Sequence, residues 1–194
     1  MISGEAPGRP PTEQELKIPV ADLGEVRRRL GAVGASCTSS ARLEINVLFD
    51  NAAGELTASR RVLRLRYAGG SWLLTLKGPP IYRGAVKERE ELETRVDDGE
   101  VVTAVLDRLG FRPSMRYEKE RETWQLGEVE VALDHTPMGE FVEIEGPVEH
   151  LEDAAYRLGL DPERAVRLSY VGLWRSYREE HPELDLPIHM VFGA

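Results

Sequence analysis

Full charges recur at every second position along several stretches of this 194-residue chain. They are Glu13, Glu15 and Lys17; Arg64 and Arg66; Lys87, Arg89, Glu91 and Glu93; Lys119 and Arg121; Glu128 and Glu130; and Glu143 and Glu145. Glu44 is spaced likewise from Asn46, Lys77 from Thr75, and Asp134 continues the Glu128 and Glu130 series. Side chains alternate sides along a β-strand, so residues at i and i+2 share a face about 6.6 Å apart. Apolar residues fill the alternate positions: Leu16 and Ile18, Leu63 and Leu65, Val129, Val131 and Leu133, Val142 and Ile144. Two readings fit. An antiparallel sheet with one wet face carries charge on that face. Alternatively the sheet curls and closes, and the charged face becomes a lumen. Charges enclosed in a lumen must be paired, hydrated or matched to a ligand, because an isolated buried charge is costly. Rows of arginine and lysine suit a chain of phosphates, and carboxylates beside them suit a hard cation such as Mg²⁺ or Mn²⁺.

Elements that could hold these rows are legible. Strands are expected at 13–18, ended by Pro19, and at 42–49, 62–68, 72–77, 86–94, 115–125, 128–134 and 140–145. Gly69-Gly70 signals a hairpin between the third and fourth of these. Helices are expected from Leu23 to Val33 with Asp22 as N-cap, at 98–109 with Val101, Val105 and Leu109 on one side, at 151–158, and at 169–177 with Ser169 as cap. Eight strands and four helices without a βαβ rhythm predict an α+β fold with a largely antiparallel sheet. Residues 1–11, with three prolines and two glycines, read as a flexible lead-in, and 12–194 as one domain whose apolar tail docks on the body. Against 34 acidic residues stand 25 basic ones, giving a net charge of −9, which disfavours nucleic acid as a partner. The lone Cys37 excludes a disulfide framework and is read as structural. No apolar run approaches the roughly 18–20 residues of a membrane span, and the first residues lack a signal-peptide layout, so a cytoplasmic location is expected. His135, His150, His181 and His189 show no metal-ligand spacing and read as surface residues. Trp72, Trp124 and Trp174 are read as packing residues in preference to a platform for adenine.

Glu13-Gln14-Glu15-Leu16-Lys17 has the form E-x-E-x-K. It is followed in order by Leu63-Arg64-Leu65-Arg66, Leu74-Thr75-Leu76-Lys77-Gly78-Pro79 and Arg89-Glu90-Glu91-Leu92-Glu93. Then come Tyr117-Glu118-Lys119-Glu120-Arg121, Asp134, Gly139-Glu140-Phe141-Val142-Glu143-Ile144-Glu145-Gly146, and Ser169-Tyr170. Across residues 12–177 the sequence resembles the CYTH superfamily, the triphosphate tunnel enzymes. The resemblance implies a closed eight-stranded antiparallel β-barrel with flanking helices. It implies that Lys17, Arg64, Arg66, Lys77, Arg89, Lys119 and Arg121 bind phosphate, with Arg167 joining them from just before the last helix. Glu13, Glu15, Asp134, Glu143 and Glu145 are the implied ligands of Mg²⁺ or Mn²⁺, Glu91 and Glu93 support them, and Glu13, Glu15 and Lys17 are the implied catalytic set. The expected activity is metal-dependent hydrolysis of tripolyphosphate or of an organic or nucleoside triphosphate. The alternatives are conversion of ATP to cyclic AMP and pyrophosphate, and a non-catalytic sensor of polyphosphate or nucleotide. The expected partner is a triphosphate-bearing small molecule and not a membrane; a homodimer is left open.

Overall fold

The computed structural model describes residues 12–193; the lead-in expected at 1–11 lies outside the described residues. Its strands are β1 (Thr12–Val20), β2 (Ser36–Asn51), β3 (Val62–Ala68), β4 (Ser71–Lys77), β5 (Ile81–Arg83), β6 (Val86–Val96), β7 (Phe111–Leu126), β8 (Val129–Thr136) and β9 (Gly139–Glu145). They pair antiparallel in the order β1-β9-β8-β7-β2-β3-β4-β6-β5, and β1 also pairs with β6. That additional pairing sets Glu13 opposite Arg89 and Glu15 opposite Lys87, and it closes eight strands into the barrel that the resemblance implied. The ninth, β5, was not anticipated behind Pro79-Pro80. Residues 87 and 88 pair with both β1 and β5, so β5 lies on the β6 edge opposite β1 and prolongs the line of β4.

The helices are α1 (Leu23–Ala32), α2 (Glu55–Ala58), α3 (Gly99–Arg108), α4 (Val148–Arg157) and α5 (Tyr170–Glu180). Asp22 caps α1 by accepting from the Gly24 N–H and Ser169 caps α5, as their sequence positions predict, while Asp98, read as the first residue of its helix, caps α3. The main hydrophobic core lies outside the barrel. Leu16, Ile18, Val131, Leu133, Val142 and Ile144 from the outer wall meet Leu23, Val26 and Leu30 of α1 and Leu151, Ala154 and Ala155 of α4. A second cluster joins Met115, Tyr117 and Phe141 to Tyr170 and Trp174 of α5 and to Met190 of the tail. The tail docks as expected: the Met190 N–H donates to the Arg116 carbonyl and its own carbonyl accepts from Glu118.

Several expectations are corrected. β1 runs through Pro19 to Val20 because from residue 16 onward it pairs only with β9, so the edge without an N–H lies against no strand. β2 and β7 reach 16 residues each by pairing with one another through register shifts near Cys37, Ser39 and Leu48. Their serine-rich and proline-bearing ends carry no local strand signal. Val101 and Val105 of α3 and Leu109 at its C-cap face solvent, at 58%, 51% and 67% exposure. Cys37 is exposed on β2 instead of structural. Among the described residues no helix is long and apolar enough to cross a membrane.

Candidate active site in the barrel lumen

Alternation along the strands puts the charged rows inside. A cavity of about 500 Å³ is lined by eight basic and seven acidic side chains. From β1 come Glu13, Glu15 and Lys17; from β3, Arg64 and Arg66; from β4, Lys77. β6 supplies Lys87, Arg89, Glu91 and Glu93, and β7 supplies Lys119 and Arg121 with Tyr117. Glu130 of β8, Glu143 and Glu145 of β9, and Ser169, Tyr170 and Val171 at the start of α5 complete the wall. The surplus of acid in the whole chain therefore lies outside the lumen, whose charge is nearly balanced.

The basic side chains are held by neighbouring acids. Lys17 pairs with Glu143 at 3.1 Å and stands 4.2 Å from the centre of the Tyr170 ring. Burial alone would lower the Lys17 pKa, but Glu143, Glu15 and Asp134 hold it above the usual lysine value. Lys119 reaches Asp134 at 2.9 Å, and Arg121 holds both Asp134 and Glu143. Burial would lift the Glu143 carboxyl, yet Arg121, Lys17 and Lys119 keep it well below the usual range. Arg66 lies 3.3 Å from Glu44 and 3.4 Å from Glu93. Arg64 donates to Thr75 at 3.2 Å and approaches the Tyr117 hydroxyl at 3.5 Å. Among the described residues the Arg64 Nε has no hydrogen-bond partner, so a donor remains for an incoming oxygen. Lys77 bridges Glu13 and Glu91, both at 2.7 Å, and Lys87 holds Glu15 at 2.5 Å.

Three residues expected in the site are placed differently. Arg89 lines the lumen but donates to the carbonyls of Gly78 and Arg60, which ties it to the residue after β4 and to the loop before β3. Asp134 is fully enclosed, accepts from Lys119, Arg121 and the Tyr170 hydroxyl, and does not line the cavity. Arg167 is also outside the lining; its guanidinium donates to the Gly84 carbonyl. Conversely, Lys87, Glu130, Tyr117 and Tyr170 line the cavity, and Glu44 and Thr75 contact its arginines, without having been assigned a role from sequence. Most of them obey the same alternation, so the signal was present. None of the three tryptophans lines the cavity.

For a metal, the donor chemistry fits at one level of the barrel. Glu145 stands directly opposite Glu15 on one side and Glu130 on the other, so three carboxylates form a transverse row. Burial and the charges of Glu13, Glu15 and Glu130 push the Glu145 carboxyl up to about 8. Like charges set opposite one another are destabilising, and a hard divalent cation bound by carboxylate oxygens relieves that repulsion. Glu13, Glu15, Glu130 and Glu145 are the residues that would hold it. Among the described residues no three such groups already converge as ligands, since Glu13 and Glu15 lean on lysines. Glu143 and Asp134, assigned to the metal from sequence, are committed instead to Lys17, Lys119 and Arg121.

Comparison with known proteins agrees with this geometry. Residues 11–156 match the model of the CYTH domain. A protein of Methanocaldococcus jannaschii whose name provisionally assigns it as an adenylate cyclase is 24% identical over 172 residues, covering 83% of this chain and 97% of that one. A Vibrio parahaemolyticus structure, likewise provisionally named an adenylate cyclase, superimposes with a TM-score of 0.75 at 20% identity, over 84% of this chain and 97% of its own. A Hippeastrum protein gives a TM-score of 0.63 at 21% identity, over 84% and 95% of the two chains; it is described as an adenylyl cyclase assignment that revealed a dominant triphosphatase activity. The chain belongs to the CYTH domain family.

Proposed function

We propose that this protein is a metal-dependent triphosphatase that hydrolyses tripolyphosphate, or an organic or nucleoside triphosphate, inside the barrel. The observation that carries the reading is a cavity lined by eight cations and seven carboxylates. Lys17 of β1, Arg64 and Arg66 of β3, and Lys119 and Arg121 of β7 supply cations from three strands of the wall, which suits linked tetrahedral phosphates. Each would exchange a carboxylate partner for a phosphate oxygen and fix the chain for in-line attack. Mg²⁺ or Mn²⁺, if held by Glu13, Glu15, Glu130 and Glu145, would supply charge neutralisation of the phosphates. In the reaction a water oxygen bonds to the terminal phosphorus and the bridging P–O bond breaks. Its electron pair leaves with the diphosphate, and one proton is released. The basic row stabilises the charge that builds on the leaving oxygen.

The names carried by relatives favour a second reading, cyclisation of ATP to cyclic AMP and pyrophosphate. Two features weigh toward hydrolysis. No tryptophan lines the cavity, and the Tyr170 ring faces Lys17 and Lys119, at 4.2 and 4.9 Å, so it is not free to stack a base. Incubation with tripolyphosphate, ATP or thiamine triphosphate and either metal, followed by ³¹P NMR, tests the proposal. Orthophosphate is the expected product, and cyclic AMP would overturn it in favour of the cyclase. Binding without turnover by the wild type would indicate a sensor. Glu15→Gln is expected to abolish turnover and to retain polyphosphate binding.

A further inference from the structure

Arg167 occupies a position where a phosphate ligand was expected, yet its contacts are with the barrel's outer machinery. Its guanidinium donates to the Gly84 carbonyl at 2.8 Å and lies 5.8 Å from the centre of the Tyr82 ring. The Tyr82 hydroxyl donates in return to the Arg167 carbonyl at 2.9 Å. Two reciprocal hydrogen bonds thus clasp the segment before α5 to the hairpin between β5 and β6.

The clasp lies beside the shortest strand pairing of the barrel, four residue pairs between β1 and β6. Among the described residues, β1 pairs with β6 only from Thr12 to Glu15, and from Leu16 onward that edge of β1 has no strand beside it. The segment 165–169 bridges the seam, with the Val166 N–H donating to the Lys17 carbonyl at 2.7 Å. The same segment and the residue after it also fix the Lys17 side chain. Its ammonium donates to the Leu168 carbonyl at 3.5 Å and sits over the Tyr170 ring. Lys17 is therefore held at backbone, ammonium and ring by one strap. We infer that the Tyr82–Arg167 clasp keeps this strap across the seam, and that Arg167 is a positioning residue acting through Lys17 and Tyr170, not a phosphate ligand. Only its catalytic consequence rests on the proposed triphosphatase activity.

The test uses the full chain with Arg167→Ala, Arg167→Lys and Tyr82→Phe. The first readout is trypsin cleavage after Arg83, whose side chain is 70% exposed at the hairpin tip. The second is kcat and KM on tripolyphosphate with Mn²⁺. Loss of the clasp is expected to speed cleavage at Arg83 about tenfold, the equivalent of one or two modest hydrogen bonds. In Arg167→Ala, kcat is expected to fall about tenfold with KM changed less than roughly threefold, since Arg167 lies outside the cavity lining and acts only by orienting Lys17. Arg167→Lys keeps the charge but loses the planar fork, so it should follow Arg167→Ala; Tyr82→Phe should move both readouts the same way by less. A phosphate ligand gives the opposite pattern, a raised KM that Arg167→Lys restores, and that result overturns the inference. Unchanged cleavage at Arg83 in every variant overturns it as well. If the wild type turns over none of the triphosphates, the proposed function falls, and the cleavage rates alone decide the clasp.

Discussion

Asp134 is fully enclosed, and its two oxygens accept from Lys119, Arg121 and Tyr170. Such a carboxylate stabilises the fold only while its partners stay. Arg121→Leu should therefore cost about 3–5 kcal/mol, because it leaves Asp134 and Glu143 short of compensating charge in a buried place; urea denaturation measures this as a lowered midpoint. Glu44 gives a pH-dependent counterpart. Burial would raise its pKa, but Lys119, Arg121, Arg66 and Arg64 bring it down to about 2. A depressed carboxyl contributes stability that is present above its unfolded value, near 4.5, and lost as pH falls toward 2. Glu44→Gln should flatten the acid limb of the stability profile between those limits, measured as urea midpoints from pH 5 to pH 2; an unchanged limb would contradict the assignment. At this scale the sequence showed which residues share a face, since the period of two is a local property of the backbone. It could not show that Arg89 is tied to the Gly78 and Arg60 carbonyls, because those contacts depend on how the chain runs after β4 and before β3.

Elements follow their local signals where capping and turn chemistry are strong. Gly69 and Gly70, at φ 55° and 82°, turn β3 into β4 as the dipeptide foretold. Asp22, Asp98 and Ser169 start their helices. Signals failed where pairing with a distant strand extends an element, as in the 16-residue β2 and β7, or where helical periodicity marks no buried face, as in α3. α3 also inverts a common rule. Gly→Ala inside a helix ordinarily gains about 1 kcal/mol, but a Cβ on Gly99 would meet the Trp72 ring at 2.3–2.6 Å. Gly99→Ala should therefore destabilise, by about 1–3 kcal/mol, and should perturb tryptophan fluorescence by displacing the Trp72 ring. Leu30→Ala, in the sealed core beneath α1, should cost about 2–5 kcal/mol through the cavity it leaves, again read from the urea midpoint.

For the whole molecule, the usual distribution is reversed: the apolar core lies between the outer wall and helices, and the charges line the lumen. Ligand binding should then stabilise the entire barrel. Tripolyphosphate at a hundred times its Kd, with Mn²⁺, should add about 2.7 kcal/mol and raise Tm by roughly 5–10 °C. A scan of Tm against ligand concentration checks this, and no shift would argue against a polyphosphate site. What the sequence by itself determined is the set of amphipathic strands, their turns and caps, and the charge rows that the family resemblance links to phosphate. All of these are encoded within a few residues of one another. What only the tertiary structure decided is which charges meet. It set Glu145 between Glu15 and Glu130, closed β1 onto β6, enclosed Asp134, and brought the strap before α5 across the chain onto Lys17. Those outcomes depend on strand register and barrel closure between residues far apart in sequence, where a shift of one position would turn every charge outward.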